Sequence, residues 1–351
     1  MANNKNDSYH EQIKKNNKLK LRELQEQLPG FCKDFFRGID SITAPRTKIA
    51  YAYDLIVFFN YLIKVNPNIN SIDEIHIDIL TKLNSKDIEE YLEYLTLYSS
   101  HKGLEHSNDE AGLKRKITSL RSFYNYFFQN GDIDTNPAQL VKIPKIHDKE
   151  IVRFDPNEVA AFLDNVESGA NLNNRQLAFH EKTKTRDLAL LTLLLGTGIR
   201  VSECVGLDIN DIDFDNNGIK ITRKGGNESM VYFGDEVRDA LVSYIEQRKK
   251  TTSSDGHENA LFLSMQKKRI SVRSVEKLVE KYAKTVTTVK HITPHKLRST
   301  YGTNLYQETG DIYLVADVLG HRDVNTTKKH YADIGNNRRK SAANVVKLRK
   351  D

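Results

Sequence analysis

The chain has 351 residues, a net charge of +6, 38% hydrophobic residues and 28% charged residues, the balance of an ordinary soluble protein long enough for two domains. Its two cysteines, Cys32 and Cys204, give neither a metal spacing nor a disulfide framework, which points to a reducing, cytoplasmic setting. The longest apolar run, Leu188 to Leu195, is far short of the roughly 20 residues of a spanning helix, and the polar N-terminus lacks a hydrophobic signal core, so membrane and secreted classes are set aside.

In chain order, a polar lead runs into a helix with Leu19, Leu21, Leu24 and Leu28 at helical intervals, ended by Pro29-Gly30. A helix is predicted from Ala44-Pro45 to Ile63, with Tyr51, Leu55, Phe58, Phe59 and Leu62 on one broad apolar face. Ser85 is the expected cap of a helix over 86–98, and a polar loop is expected over 99–109. The helix predicted over 110–129 buries Leu113, Ile117, Leu120, Phe123, Tyr124 and Phe127. Lys114, Arg115, Lys116 and Arg121 are assigned to its opposite face, as a surface that tracks phosphates. Asn136-Pro137 to Glu150, with two prolines and no periodicity, reads as a basic linker.

Beyond it, Asp155-Pro156-Asn157-Glu158 is a helix start. A polar, Asn-rich stretch over 168–185 is expected to be a loop with a short helix, followed by a buried helix over 186–195. Gly196 and Gly198 permit a tight turn before Arg200, and Ser202-Glu203 open the next helix. Two alternating runs, 218–222 and 229–233, predict a hairpin whose tip carries Arg223-Lys224-Gly225-Gly226. Helices are predicted over 235–248 and 271–284, with an extended piece at 260–264. Thr293 and Pro294 then start a helix bearing His295 and Arg298 on one face. An apolar run ends at Leu319-Gly320-His321, and Tyr331 follows in Lys328-Lys329-His330-Tyr331.

An arginine that clamps, histidines that move protons and a tyrosine that attacks make chemical sense around a phosphate. The set Arg200, Lys224, His295, Arg298, His321 and Tyr331 resembles that of the tyrosine recombinase (lambda-integrase-like) family, and most closely the single-protein Xer recombinases of low-GC Gram-positive bacteria. The motifs that carry the resemblance are Thr197-Gly198-Ile199-Arg200-Val201-Ser202-Glu203, Thr222-Arg223-Lys224-Gly225, His295-Lys296-Leu297-Arg298, Leu319-Gly320-His321 and His330-Tyr331. The one departure is Ser299, where many members carry a further histidine.

The resemblance implies a mainly α fold: an N-terminal extension (1–30), a helical core-binding domain that contacts DNA (31–142), a linker (143–154), an α-rich catalytic domain with a small antiparallel sheet (155–334) and a basic C-terminal tail (335–351). It implies cleavage of double-stranded DNA by Tyr331 through a 3′-phosphotyrosyl intermediate, and a Holliday junction formed by a homotetramer on two duplexes, without metal, ATP or other cofactor. Arg200 and Arg298 would hold the phosphate oxygens. Lys224 would protonate the departing 5′-oxygen, with Arg223 as the alternative cation at that tip. His295 would assist proton transfer and His321 donate to the phosphate. The expected role is chromosome dimer resolution at a dif-like site in the nucleoid. The alternatives are an integrase of a phage, transposon or other mobile element, a DNA-binding protein with a dead site, and a metal-dependent nuclease, which would need clustered carboxylates that the sequence does not space suitably. A translocase or excisionase as accessory protein is left open, as is the target sequence. In the family a terminal segment docks into the neighbouring subunit, and Val345, Val346 and Leu348 would supply its apolar contacts.

Overall fold

Ser8 begins the first helix: its hydroxyl accepts from the Glu11 N–H and the Glu11 carboxylate accepts from the Ser8 N–H, a reciprocal cap. This computed structural model describes residues 8–99, 103–143, 145, 152–223, 226–321 and 323–325. It divides into two units, one over 6–149 and the other from 150 onward. Helices dominate both, and each carries a small antiparallel sheet.

The first unit contains α1 (Tyr9–Gln25), α2 (Cys32–Gly38), α3 (Pro45–Val65), α4 (Ile79–Lys82), α5 (Ser85–Thr96), β1 (Leu97–Ser99), β2 (Glu105–Ser107), α6 (Glu110–Asn130) and α7 (Pro137–Leu140). Leu24 and Leu28 are buried in the same cluster as Phe35, Phe59 and Phe123. The opening helix therefore belongs to this unit's core and is no loose extension. Leu19, by contrast, stays exposed. Edge-on aromatic contacts knit the core, with centroids 5.1 Å apart for Phe35–Phe123, Phe58–Tyr91 and Phe123–Phe127.

Three local readings are corrected here. The cap of α5 is Asn84, one residue before Ser85, and its side chain accepts from the Lys86 N–H at 2.8 Å. That helix stops at Thr96 because 97–99 pairs with 105–107, Leu97 opposite Ser107 and Ser99 opposite Glu105. What reads as loop is thus partly a hairpin, with Tyr98 stacked on His106. The short helix α2, with Cys32, Phe35 and Phe36 buried, has no counterpart among the elements predicted from the sequence.

The second unit contains α8 (Pro156–Ser168), α9 (Asn174–Thr197), α10 (Val201–Gly206), β3 (Ile212–Asp213), β4 (Gly218–Thr222), β5 (Glu228–Tyr232), α11 (Asp235–Lys249), α12 (Val272–Ala283), α13 (Pro294–Thr309) and α14 (Ile312–Leu319). The strands form one antiparallel sheet in the order β3-β4-β5, with Gly218 opposite Tyr232 and Thr222 opposite Glu228. Helix α9 is its central member and packs on α8, α11 and α13.

The expected loop over 168–185 is mostly helix: α9 runs unbroken for 24 residues from the Asn173 cap. Its polar residues are satisfied inside the unit. The buried Asp187 accepts from Arg186 Nη2 at 2.6 Å, Thr183 Oγ1 at 2.8 Å and the Tyr282 hydroxyl at 3.2 Å, and His180 Nδ1 lies 2.9 Å from that hydroxyl. Buried charge is tolerable when paired and hydrogen-bonded in this way. The extended piece at 260–264 is held by two isolated bridges, Asp208 with Ala260 and Leu263 with Arg269. No described helix is long and apolar enough to cross a membrane.

Candidate active site

Helix α9 ends in a left-handed glycine, Gly198, at φ 62°. A side chain there would strain the backbone and its Cβ would come within 2.4 Å of Tyr301. Two residues later Arg200 caps α10. Its N–H donates to Glu203 Oε2 at 2.7 Å and its Nη1 to Glu203 Oε1 at 2.9 Å. Glu203 is buried, so both of its oxygens hold one arginine in place. The remaining Arg200 Nη2 donates to the Gly320 carbonyl at 3.4 Å. The Arg200 side chain is 36% exposed, which leaves part of the guanidinium available to a ligand.

Arg298, on α13, is 5% exposed. Its Nη1 donates to the Gly198 carbonyl at 2.6 Å and its Nη2 to the Leu319 carbonyl. Both acceptors lie at helix C-termini, where the backbone dipoles favour a cation. A third arginine joins them. Arg223 leaves the end of β4 and donates through Nη2 to the Val318 carbonyl at 3.3 Å. Three successive carbonyls at the end of α14 (Val318, Leu319 and Gly320) thus receive Arg223, Arg298 and Arg200.

Helix α14 is placed by Val315 and Leu319, which pack against Tyr301, Leu305, Tyr306 and Ile312. Gly320, at φ 62°, closes it, and His321 follows, its N–H bonded to the Ala316 carbonyl at 2.9 Å. His295 is exposed on the first turn of α13, three residues before Arg298. Its carbonyl accepts from Ser299 Oγ at 3.1 Å, so the serine at the departing position serves its own helix. Thr293 occupies the cap position of α13 without a side-chain cap bond. Lys224, Tyr331 and the tail containing Val345, Val346 and Leu348 lie outside the described residues.

Of the predicted set, the structure ties Arg200 and Arg298 to the residues immediately before His321. Sequence reasoning missed Glu203 as the partner of Arg200, although the i, i+3 spacing was there to find it. It also missed the strap from Arg223 to Val318, which no local pattern encodes.

The basic face of α6 is corrected. At about 100° per residue Lys116 lies some 200° from Lys114, within the apolar stripe. Lys116 is 6% exposed. Its ammonium is 3.3 Å from Asp54 Oδ1 and its pKa is pushed down by burial, partly offset by that carboxylate. Asp54, also buried, accepts from Ser119 Oγ at 2.7 Å and from Arg115. Arg121 is spent on the Ala138, Gln139 and Val141 carbonyls. Lys114 is exposed, and the Arg115 side chain is 51% exposed. Among the described residues no group of three or more His, Cys, Asp or Glu side chains is placed to hold a metal ion.

Residues 153–338 match the model of the phage integrase family. The chain is 32% identical over 313 residues to the tyrosine recombinase XerC of Caldanaerobacter subterraneus subsp. tengcongensis, covering 86% of this chain and 82% of that one. It is 31% identical over 351 residues to the tyrosine recombinase XerS of Streptococcus thermophilus, covering 92% of this chain and 97% of that one. Among solved structures, XerH recombinase bound to a palindromic difH substrate superposes with a TM-score of 0.61 at 21% identity, over 85% of this chain and 78% of that one. The Tn1549 transposon integrase with circular intermediate DNA gives 0.60 at 21% identity, over 86% and 94%.

Proposed function

The chain belongs to the phage integrase family of tyrosine recombinases, enzymes that break and rejoin DNA, and we propose that Tyr331 is its nucleophile and Arg200, Lys224, His295, Arg298 and His321 its supporting set. The observation that carries this reading is the meeting of Arg200 and Arg298 on adjacent carbonyls, Gly320 and Leu319, directly before His321. Two guanidinium groups fixed a residue apart suit two non-bridging oxygens of one phosphodiester. Their positions are held by Glu203 and by helix ends, so they need no rearrangement as charge grows on those oxygens.

In the proposed reaction the Tyr331 Oη bonds to phosphorus while the bond to the 5′-oxygen breaks. The Lys224 ammonium gives its proton to that oxygen. A phenol with an ordinary pKa near 10 needs help to attack at neutral pH, and His295 is the group we assign to accept its proton. His321 donates to a phosphate oxygen. The 3′-phosphotyrosyl bond conserves the energy of the broken linkage, and attack by a 5′-hydroxyl from the other duplex reverses the step. The partner is double-stranded DNA, and a homotetramer on two duplexes is the assembly that strand exchange requires. Lys114 and Arg115 are the members of the α6 set that we retain as phosphate contacts.

The biological role we favour is Xer-type resolution of chromosome dimers at a dif-like site. The near full-length match to XerS supports it. The comparable superposition of the Tn1549 integrase supports the second reading, recombination for a mobile element. Incubation with a nicked suicide duplex tests the chemistry. A covalent protein–DNA adduct is expected from the wild type and none from Tyr331→Phe; an adduct that persists in the variant refutes the assignment. Recombination between two copies of the chromosomal dif-like site, set against recombination between attachment sites, decides the role.

A further inference from the structure

We propose that Arg223 is a positioning residue that fastens the proton-donating hairpin to the phosphate-binding arginines. The inference rests on the assignment of Lys224 as proton donor. Three observations carry it. The hairpin base is closed at Arg223: its N–H donates to the Asn227 carbonyl at 2.7 Å, and its carbonyl accepts from the Gly226 N–H at 3.0 Å. Its side chain crosses to another element, where Nη2 donates to the Val318 carbonyl at 3.3 Å. The guanidinium also lies against the backbone of Gly320, where a Cβ would sit 1.5 Å from Arg223 Nη1. Glycine at 320 suits its φ of 62°, and a Cβ there would push the Arg223 guanidinium out of its present place.

The consequence is geometric. Val318, Leu319 and Gly320 accept one arginine each, so the hairpin is anchored to the same helix end that holds Arg298 and Arg200. Lys224 follows Arg223 directly, and consecutive Cα atoms are only about 3.8 Å apart. Fixing Arg223 confines where the Lys224 backbone can be. A lysine carries its ammonium on a flexible four-carbon stem, so the point from which that stem starts limits the space the ammonium can reach. Misplacing a reacting group by an ångström costs on the order of 100-fold in rate.

The test separates proton donation from phosphate binding. In cleavage the phosphorus–5′-oxygen bond breaks and the oxygen takes a proton. If sulfur replaces that oxygen, it leaves as a thiolate, because thiols ionise near pH 8.5 whereas alcohols do not (compare cysteine, about 8.5), and no donor is needed. Full-length Arg223→Ala, Lys224→Ala and Arg200→Ala are assayed for adduct formation on suicide duplexes with a normal or a 5′-phosphorothiolate scissile linkage. Arg223→Ala is expected to bind DNA normally and to lose roughly 10- to 100-fold on the oxygen substrate, with most of the loss restored by sulfur. Lys224→Ala shows a larger loss, restored in the same way, and Arg200→Ala is not restored. An Arg223→Ala defect of equal size on both substrates, or no defect, overturns the proposal when Lys224→Ala is restored. If Lys224→Ala is not restored, the donor assignment itself fails. Arg223→Lys, which keeps the charge but not the fork, is expected to show a smaller loss with the same restoration, and it carries the comparison if the alanine variant does not fold.

Discussion

At the scale of single residues, arginine does two kinds of work in this chain. Arg121 and Arg248 are spent on backbone carbonyls, Arg248 on those of Ala260 and Glu258, while Arg269 joins the carbonyls of Val205 and Leu207 to the Asp208 carboxylate. Arg298 makes bonds of the same kind but lies where the phosphate is proposed to bind, whereas Arg200 is held by a carboxylate and stays partly open. The two should therefore fail differently. Arg298→Lys loses the forked donor and leaves buried carbonyls short of partners, so it is expected to lower stability by about 1–3 kcal/mol as well as cleavage. Arg200→Lys is expected to lower cleavage with little change in Tm. Thermal melting beside the suicide-substrate assay distinguishes them. In the first unit, Asp54→Ala strands the Lys116 ammonium in the core. A loss of about 3–5 kcal/mol is expected in urea unfolding, with local chemistry at the second unit intact.

At the scale of elements, the end of α9 is the most constrained point near the site. Gly198→Ala combines the left-handed penalty, about 1–2 kcal/mol, with the clash against Tyr301. Gly131, at φ 75° with nothing near its missing Cβ, meets the first cost alone. The Tm of Gly198→Ala should fall further than that of Gly131→Ala. Along the same helix, burial, aided by Lys281, holds the His180 pKa below its usual 6.5, and its Nε2 has no hydrogen-bond partner among the described residues. Below about pH 6.5 the unfolded chain takes up this proton more readily than the folded one, so stability falls with pH there and is fully present above it. Urea midpoints at pH 7.5 and 5.5 should differ in the wild type and differ less in His180→Gln, the remainder including His257, whose pKa burial also lowers.

The helices with apolar stripes, such as the one bearing Leu113, Ile117 and Leu120, were legible because burial follows the helical period. So were the glycine turn before Arg200 and the helix start at Pro294. The first half of α9 was not, because His180 and Thr183 look like surface residues until His180 meets Tyr282, 102 residues on, and Thr183 meets the buried Asp187. Nor was the pairing of β1 with β2, since strands of three residues with mostly exposed side chains are too short for a period of two to register. Lys116 is a misreading that the helical period itself corrects.

At the scale of the molecule, a net charge of +6 matters through where the cations stand. Exposed Lys114 and buried Lys116 sit two residues apart yet should act on different observables. Lys114→Ala is expected to weaken DNA binding and to reduce the slope of log affinity against log salt by about 1. Lys116→Met should leave that slope unchanged and alter only unfolding. Fluorescence anisotropy over a salt series measures both. Truncation after Asn336 is expected to impair tetramer assembly on DNA more than single-site binding, and equal loss of both would count against a docking role for the tail. The short helix α14 has a consequence of its own. Its C-terminus carries only about half an elementary charge, yet three guanidinium groups converge on it, with Glu203 as the carboxylate bonded to one of them. A carboxylate on each arginine would have to be displaced before a phosphate could bind. A helix end instead fixes a guanidinium while neutralising only part of its charge, so the carbonyls of Val318, Leu319 and Gly320 position three cations without themselves supplying an anion that a phosphodiester would have to evict.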